Sequence, residues 1–327
     1  MTLTRRNFLK LGGLTAVAAA SGCSVIGREI AQRDIPDALP IPTGQPPDRQ
    51  TSLPHRLLNR AAYGPRPGDL AQVEAMGVEQ WLEAQLHPDQ IDDPAATLVE
   101  RGLSLYQMDM SQLLVQEPKD AAQELIGATI ARAILSKRQL YEVMVEFWSD
   151  HFNIYLRKHK LMPLLKLADD RDVIRPHALG KFRDLLFASA HSPAMLVYLD
   201  NIQNEKGHPN ENYARELMEL HTLGVHGGYT QTDVQELARM LTGWGVRRRG
   251  IRAGETFLRE EAHDWEAKTL LGQTFPAGRG QPEIEDVLEM LATHPATAQF
   301  IAAKLVRRFV ADEPPAALVA QVAQTFR

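Results

Sequence analysis

Two histidines, His151 and His221, fall where helical spacing surrounds them with apolar residues. At 100° per residue, His221 shares a stripe with Tyr213, Ala214, Leu217 and Leu220, and His151 shares one with Val143, Met144, Phe147, Trp148 and Ile154. A neutral imidazole carries one donor and one acceptor nitrogen, so a ring turned into a core needs a carbonyl, a carboxylate or a metal ion as partner. Carboxylates are close in sequence: Glu211, Glu216 and Glu219 around His221, Asp150 beside His151, and Asp264 after His263. Two readings follow. In one, both histidines are satisfied core residues, and Glu211, Arg215 and Glu219, four apart, form an ion-pair ladder worth about 0.3–0.5 kcal/mol per link. In the other, His151 and His221, with Asp150, Glu216, His263 and Asp264 as further donors, form an open two-histidine, one-carboxylate site for a transition-metal ion such as iron, manganese or zinc. His151, His221, Glu211, Glu219 and Arg215 would then be its catalytic groups, and His191 a further residue closing the same pocket.

Those residues require long helices. Asn210 to Leu223 and Thr232 to Trp244 carry helical periods on either side of Gly227-Gly228; Asn210 has the side chain of an N-cap, and Thr232 with Gln235 has the form of a capping box. Apolar spacing predicts further helices at Leu53–Ala62, Asp69–Met76, Val78–Leu86, Lys119–Ser136, Arg138–Tyr155, Lys181–Ala190, Ala194–Leu199, Glu283–Ala292, Ala296–Ala311 and Pro315–Phe326. Along the Arg138–Tyr155 helix, Glu142, Glu146, Asp150 and Asn153 share the polar side. Gly245 to Phe275 breaks the period and predicts a small β-hairpin or irregular insertion. The fold class expected is all-α, one multi-helix domain over residues 53–327, with the last helix still open at Arg327 as in a C-terminally incomplete chain.

The start of the chain has a different character. Arg5 and Arg6 in Thr4-Arg-Arg-Asn-Phe-Leu-Lys10 resemble the twin-arginine export consensus, and Leu11–Ala20 is a short apolar run, too short to span a bilayer. It ends in Ala20-Ser21-Gly22-Cys23, which resembles a lipobox; cleavage after Ala18-Ala19-Ala20 is the alternative. Residues 1–22 are therefore expected to be a signal peptide and Cys23 a lipidated first residue. Prolines 36, 40, 42, 46 and 47 make 23–52 an extended spacer between membrane and domain. The protein is expected to be exported by the twin-arginine route and tethered as a periplasmic or outer-surface lipoprotein.

Composition excludes several classes of function. With 327 residues, 44% of them hydrophobic, the chain can build a substantial core. A net charge of -5 supplies no bulk attraction to phosphate backbones, which argues against nucleic acid as a partner. Cys23 is the single cysteine, so an internal disulfide or a multi-cysteine metal site is ruled out. H-E-x-x-H, G-x-S-x-G, Walker and G-x-G-x-x-G signatures are all absent. Arg247-Arg-Arg249 with Arg252 reads either as an anion contact or as a solvated turn.

Leu57-Leu-Asn-Arg-Ala-Ala-Tyr-Gly64, Glu146-Phe-Trp-Ser-Asp-His-Phe-Asn153, Val173-Ile-Arg-Pro-His-Ala-Leu-Gly180, Pro193-Ala-Met-Leu-Val-Tyr-Leu-Asp-Asn201, the 210–244 stretch and His263-Asp264 with Lys268-Thr-Leu-Leu-Gly272 together resemble the bacterial domain of unknown function 1800 family. The resemblance covers Leu53 to Arg327. It implies an exported protein without an assigned activity, commonly encoded beside a second exported, sulfatase-like family that would be its protein partner. Family members usually extend beyond the point matching Arg327. Two functions stay open: a metal- or cofactor-dependent cell-envelope enzyme, and a non-catalytic binding or assembly protein for a co-exported partner.

Overall fold

The computed structural model describes residues 52–247, 250 and 252–326. Arg5, Arg6, Cys23 and the spacer, together with Arg248, Arg249 and Arg327, lie outside the described residues. Apart from two small hairpins, the regular structure is helical, so the chain is an all-α protein with a small β insertion. Among the described residues no helix is long and apolar enough to cross a membrane.

The described chain falls into two compact units, 52–104 with 123–143 and 105–122 with 144–326. In the first, α1 (Leu53–Ala61), α2 (Asp69–Met76) and α3 (Val78–Leu86) pack on one another. Ser52 caps α1 at the His55 N–H, and Gly77, at φ 94°, both ends α2 and starts α3. Then comes α4 (Pro94–Arg101), capped by Asp93, whose carboxylate is 3% exposed. It accepts from the Ala96 N–H at 3.2 Å, the Ser136 hydroxyl at 2.6 Å and the Lys137 N–H at 2.8 Å. The unit boundary falls within α5 (Pro118–Leu135) and α6 (Gln139–His151). Leu58, Val73, Ala128 and Val143 form the centre of the first core, each at most 1% exposed.

The second unit holds α7 (Met162–Asp169), α8 (Phe182–Ala190), α9 (Pro193–Tyr198), α10 (Glu211–Glu216), α11 (Gln231–Met240), α12 (Gln281–Thr293), α13 (Pro295–Phe309) and α14 (Ala316–Phe326). Phe152, Leu167, Leu185, Met195, Tyr213, Leu237, Leu291 and Ile301 are all buried in it. The pairs α7/α9, α8/α12, α10/α11 and α13/α14 carry much of the packing, and α13 meets α14 through Ala298, Ala302, Val306, Val319 and Ala323. Two short antiparallel hairpins, β1 (Trp244–Val246) with β2 (Thr256–Leu258) and β3 (Lys268–Leu270) with β4 (Gln273–Phe275), occupy the predicted break in helical period.

Four local expectations are corrected. The helix predicted to run to Tyr155 ends at His151, although Ile154 beyond it is still buried. The capping box of α11 is Thr230 with Asp233, two residues before the expected pair. Helix α10 gives way at Leu217 to a π-helical turn, Leu217–Thr222, whose wider i→i+5 winding moves the apolar face by about one residue. Leu220 is therefore 45% exposed, while Tyr213, Leu217, Met218 and His221 stay buried. The same change of winding breaks the expected ladder. Arg215 pairs with Glu211 at 2.8 Å, but Glu219 instead accepts from the Tyr229 hydroxyl at 3.3 Å.

Candidate functional site

The two core-face histidines meet: their ring centroids are 6.2 Å apart. His151, the last residue of α6, is enclosed by Trp148, Phe152, Phe182 and Phe300, with ring centroids 4.6–6.2 Å away. Its Nε2 lies 3.0 Å from the main-chain oxygen of His221. A carbonyl only accepts, so the proton is on Nε2 and the lone pair is on Nδ1. The His221 carbonyl belongs to the last turn of its helix, where carbonyls lack an intrahelical partner, so His151 caps that helix end from a distant segment.

Nδ1 of His151 accepts from Nζ of Lys304 at 2.9 Å. Helix α13 delivers this lysine. His294 caps α13 by accepting from the Ala296 N–H at 3.1 Å, and Pro295 occupies its first position. Phe300, one turn before Lys304, places its ring centroid 4.9 Å from Nζ, within cation–π range. Beside the His151–Lys304 pair lies a cleft of about 260 Å³ lined by Glu146, Phe147, Asp150, His151, Lys304 and Arg308.

Burial dominates the electrostatics. It pushes His151 well below its usual value, helped by the charge of Lys304 and by His221, with the bond to the His221 carbonyl opposing. It lowers His221 to about 3, again with help from Lys304. Among the described residues the His221 ring makes no hydrogen bond, and it packs 5.0 Å from the Phe152 ring. Burial also lowers Lys304; Asp150 pulls it up and Arg307 pushes it down. The site thus combines a neutral imidazole, locked in one tautomer, with a lysine shifted toward its amine form.

The remaining predicted residues divide. Asp150 lines the cleft. Glu211 and Arg215 form a surface cluster with Gln231, whose amide donates to Glu211 at 2.8 Å. Glu216 is half-buried, and burial together with Glu219 raises it. His263 and Asp264 are engaged elsewhere: His263 Nδ1 donates to the Thr242 carbonyl at 2.8 Å, and Asp264 pairs with Arg239 at 2.7 Å. His191 donates to the Phe187 carbonyl and stacks edge-on with Trp244. Among the described residues, no group of three or more His, Cys, Asp or Glu is arranged to hold a metal ion. His151 itself is poorly disposed as a ligand, since a cation at Nδ1 would have to displace the Lys304 ammonium and lie beside it. Sequence reasoning missed Lys304 and Arg308. The available signal was three cations, Lys304, Arg307 and Arg308, within five residues of a mostly apolar helical run.

The sequence profile described as "Protein of unknown function (DUF1800)" matches residues 56–327. The chain belongs to the DUF1800 family. No curated protein and no solved structure matches it.

Proposed function

We propose that this DUF1800 protein is an exported, lipid-tethered cell-envelope enzyme that carries out proton-transfer chemistry through Lys304. The observation that carries this reading is an amine 2.9 Å from the lone pair of a buried, neutral imidazole, in the wall of a cleft. His151 positions Lys304: its Nε2–H is committed to the His221 carbonyl, so Nδ1 offers a fixed acceptor and holds Nζ in one direction. Once Lys304 releases its proton, the amine faces the cleft as a base or nucleophile, and burial brings its titration closer to neutral pH. His221, held neutral by burial, brings no second proton near neutrality.

Competitive acetylation of the purified full chain across a range of pH, read peptide by peptide by mass spectrometry, tests the reading. Lys304 is expected to titrate below exposed lysines such as Lys119, and His151→Phe to change that midpoint. Identical titration of Lys304 and Lys119 would refute it. For export, the support is the Arg5-Arg6 and Cys23 pattern; replacing both arginines with lysine should retain the chain in the cytoplasm, and Cys23→Ser should release it from the membrane fraction.

A second reading, a binding protein for a co-exported partner, is favoured by α5, where Ile126, Ile130 and Ile134 are about half exposed at four-residue spacing. A stoichiometric partner recovered from natively exported protein and lost with Ile130→Glu supports it; an unaccompanied wild-type chain refutes it.

A further inference from the structure

We infer that the loop between α6 and α7 is a membrane contact that docks the domain on anionic phospholipid headgroups. Tyr155, Arg157, Lys158, His159 and Lys160 are all exposed in this loop. From His151 to Ala168 the chain has no acidic residue, in a protein whose net charge is -5. Asp200 reaches the loop from outside and pairs with Lys158 at 2.7 Å. Among the described residues, Arg157 and Lys160 have no ion pair, and the Tyr155 hydroxyl has no hydrogen bond. The loop is held in shape from below. Ile154 and Met162 bury its two ends, the Lys158 N–H donates to the Tyr155 carbonyl at 3.1 Å, and the Leu161 N–H donates to His159 Nδ1 at 3.2 Å.

Cations exposed along a turn suit an array of headgroups better than one bound phosphate, which needs donors converging on a point. A tyrosine beside them adds a ring whose apolar body and polar tip match the headgroup boundary. Each cation near an anionic surface strengthens binding about fivefold, so the loop alone is a weak ligand. A tether changes its effect. With residues 24–51 as the expected spacer, extended to about 90 Å at most, the domain is held at high local concentration beside the bilayer, and a weak contact is enough to orient it. Tyr155 is four residues beyond His151, so their Cα atoms lie within about 15 Å of each other and the docked loop keeps the cleft close to the headgroups. The inference requires no chemistry at Lys304.

The full chain is mixed with phosphatidylcholine vesicles, with or without one-third phosphatidylglycerol, and acetylated by a water-soluble ester, with labelling read peptide by peptide by mass spectrometry. At low salt Lys160 should react at least fivefold more slowly with the anionic vesicles, and high salt should abolish the difference. The exposed Lys119 and Lys181 should change less than twofold. Tyr155→Ser with Arg157→Gln, both at exposed positions, should cut the protection of Lys160 to below twofold. Equal labelling of Lys160 on both kinds of vesicle, the same protection at Lys119 and Lys181, or protection undiminished in the double variant would overturn the inference. So would equal protection by a DNA duplex at the same phosphate concentration, which would mark a general polyanion site.

Discussion

Replacing His221 with phenylalanine should remove a large part of the acid sensitivity of this fold. The ring is 5% exposed, and burial, with Lys304 adding to it, lowers its pKa from 6.5 to about 3. Because the folded value lies below the unfolded one, the unfolded chain binds the proton more readily. The stability due to this neutral imidazole is fully present above about pH 6.5 and drains away as pH falls toward 3. At pH 5 the lost share is about 1.5 pKa units, or about 2 kcal/mol, and the slope approaches about 1.4 kcal/mol per pH unit. The ring makes no hydrogen bond among the described residues and packs against Phe152, so phenylalanine should cost less than about 1.5 kcal/mol at pH 7. Urea unfolding of both proteins at half-unit intervals from pH 7.5 to 4.5, followed by circular dichroism, gives the two slopes. The variant should fall less steeply by about one proton's worth, the remaining slope coming in part from His151, which burial lowers in the same direction. Parallel curves would refute the reasoning, because they would mean that His221 is not held neutral by burial.

Asp93→Ala should destabilise the first unit by about 2–4 kcal/mol in thermal unfolding, because it removes the α4 cap and strands the Ser136 hydroxyl and Lys137 N–H. Burial works to raise the Asp93 carboxyl, but the hydrogen bonds from Ser136, Ala96, Lys137 and Arg138 outweigh it and lower the pKa, so the wild-type advantage should shrink only as pH falls below about 3.8. Gly224→Ala places a methyl group at φ 79° and 2.9 Å from the Phe300 ring, which should cost more than about 1 kcal/mol and shift the acetylation midpoint of Lys304 through the displaced ring. Lys268 and Glu283 pair at 2.9 Å with side chains 2% and 1% exposed, so Lys268→Met should cost about 3–5 kcal/mol in urea unfolding. Adding Glu283→Leu should recover part of that loss but not all, because the carbonyls of Asp264 and Glu266 also lose the Lys268 donor.

The helical architecture was legible where period and punctuation agree. Helices α2 and α3 have the predicted bounds because Gly77, at a positive φ of 94°, separates two apolar periods, and Asn210 caps α10 by accepting from the Asn212 N–H at 2.9 Å. That His151 and His221 each lie on the buried side of a helix was also legible, but their meeting was not. Nor were their chemical partners. Lys304 is 153 residues from His151 in sequence, and helical spacing describes which residues share a face without saying which face of another helix they meet. Charges misled in the other direction. Arg252 pairs locally with Glu255 at 2.5 Å, and Arg247 lies over the Phe257 ring, so part of the arginine run serves the hairpin.

The π-helical turn is the feature that single-period reasoning cannot see, and it bears directly on the cleft. An α-helix continued from Glu211 would favour a second Arg215–Glu219 link, worth about 0.5 kcal/mol at most on a solvated face. The observed winding gives that up. In exchange, the Thr222 hydroxyl donates to the Leu217 carbonyl at 2.6 Å, and the Gly224 N–H reaches back six residues to Met218 at 3.2 Å. These bonds close the helix end around His221 and leave its carbonyl pointing at Nε2 of His151. The carbonyl fixes the tautomer, the tautomer presents Nδ1, and Nδ1 accepts from Lys304. The Lys304–His151 bond in the cleft wall is therefore a consequence of backbone winding in a segment that contributes no side chain to the cleft's lining.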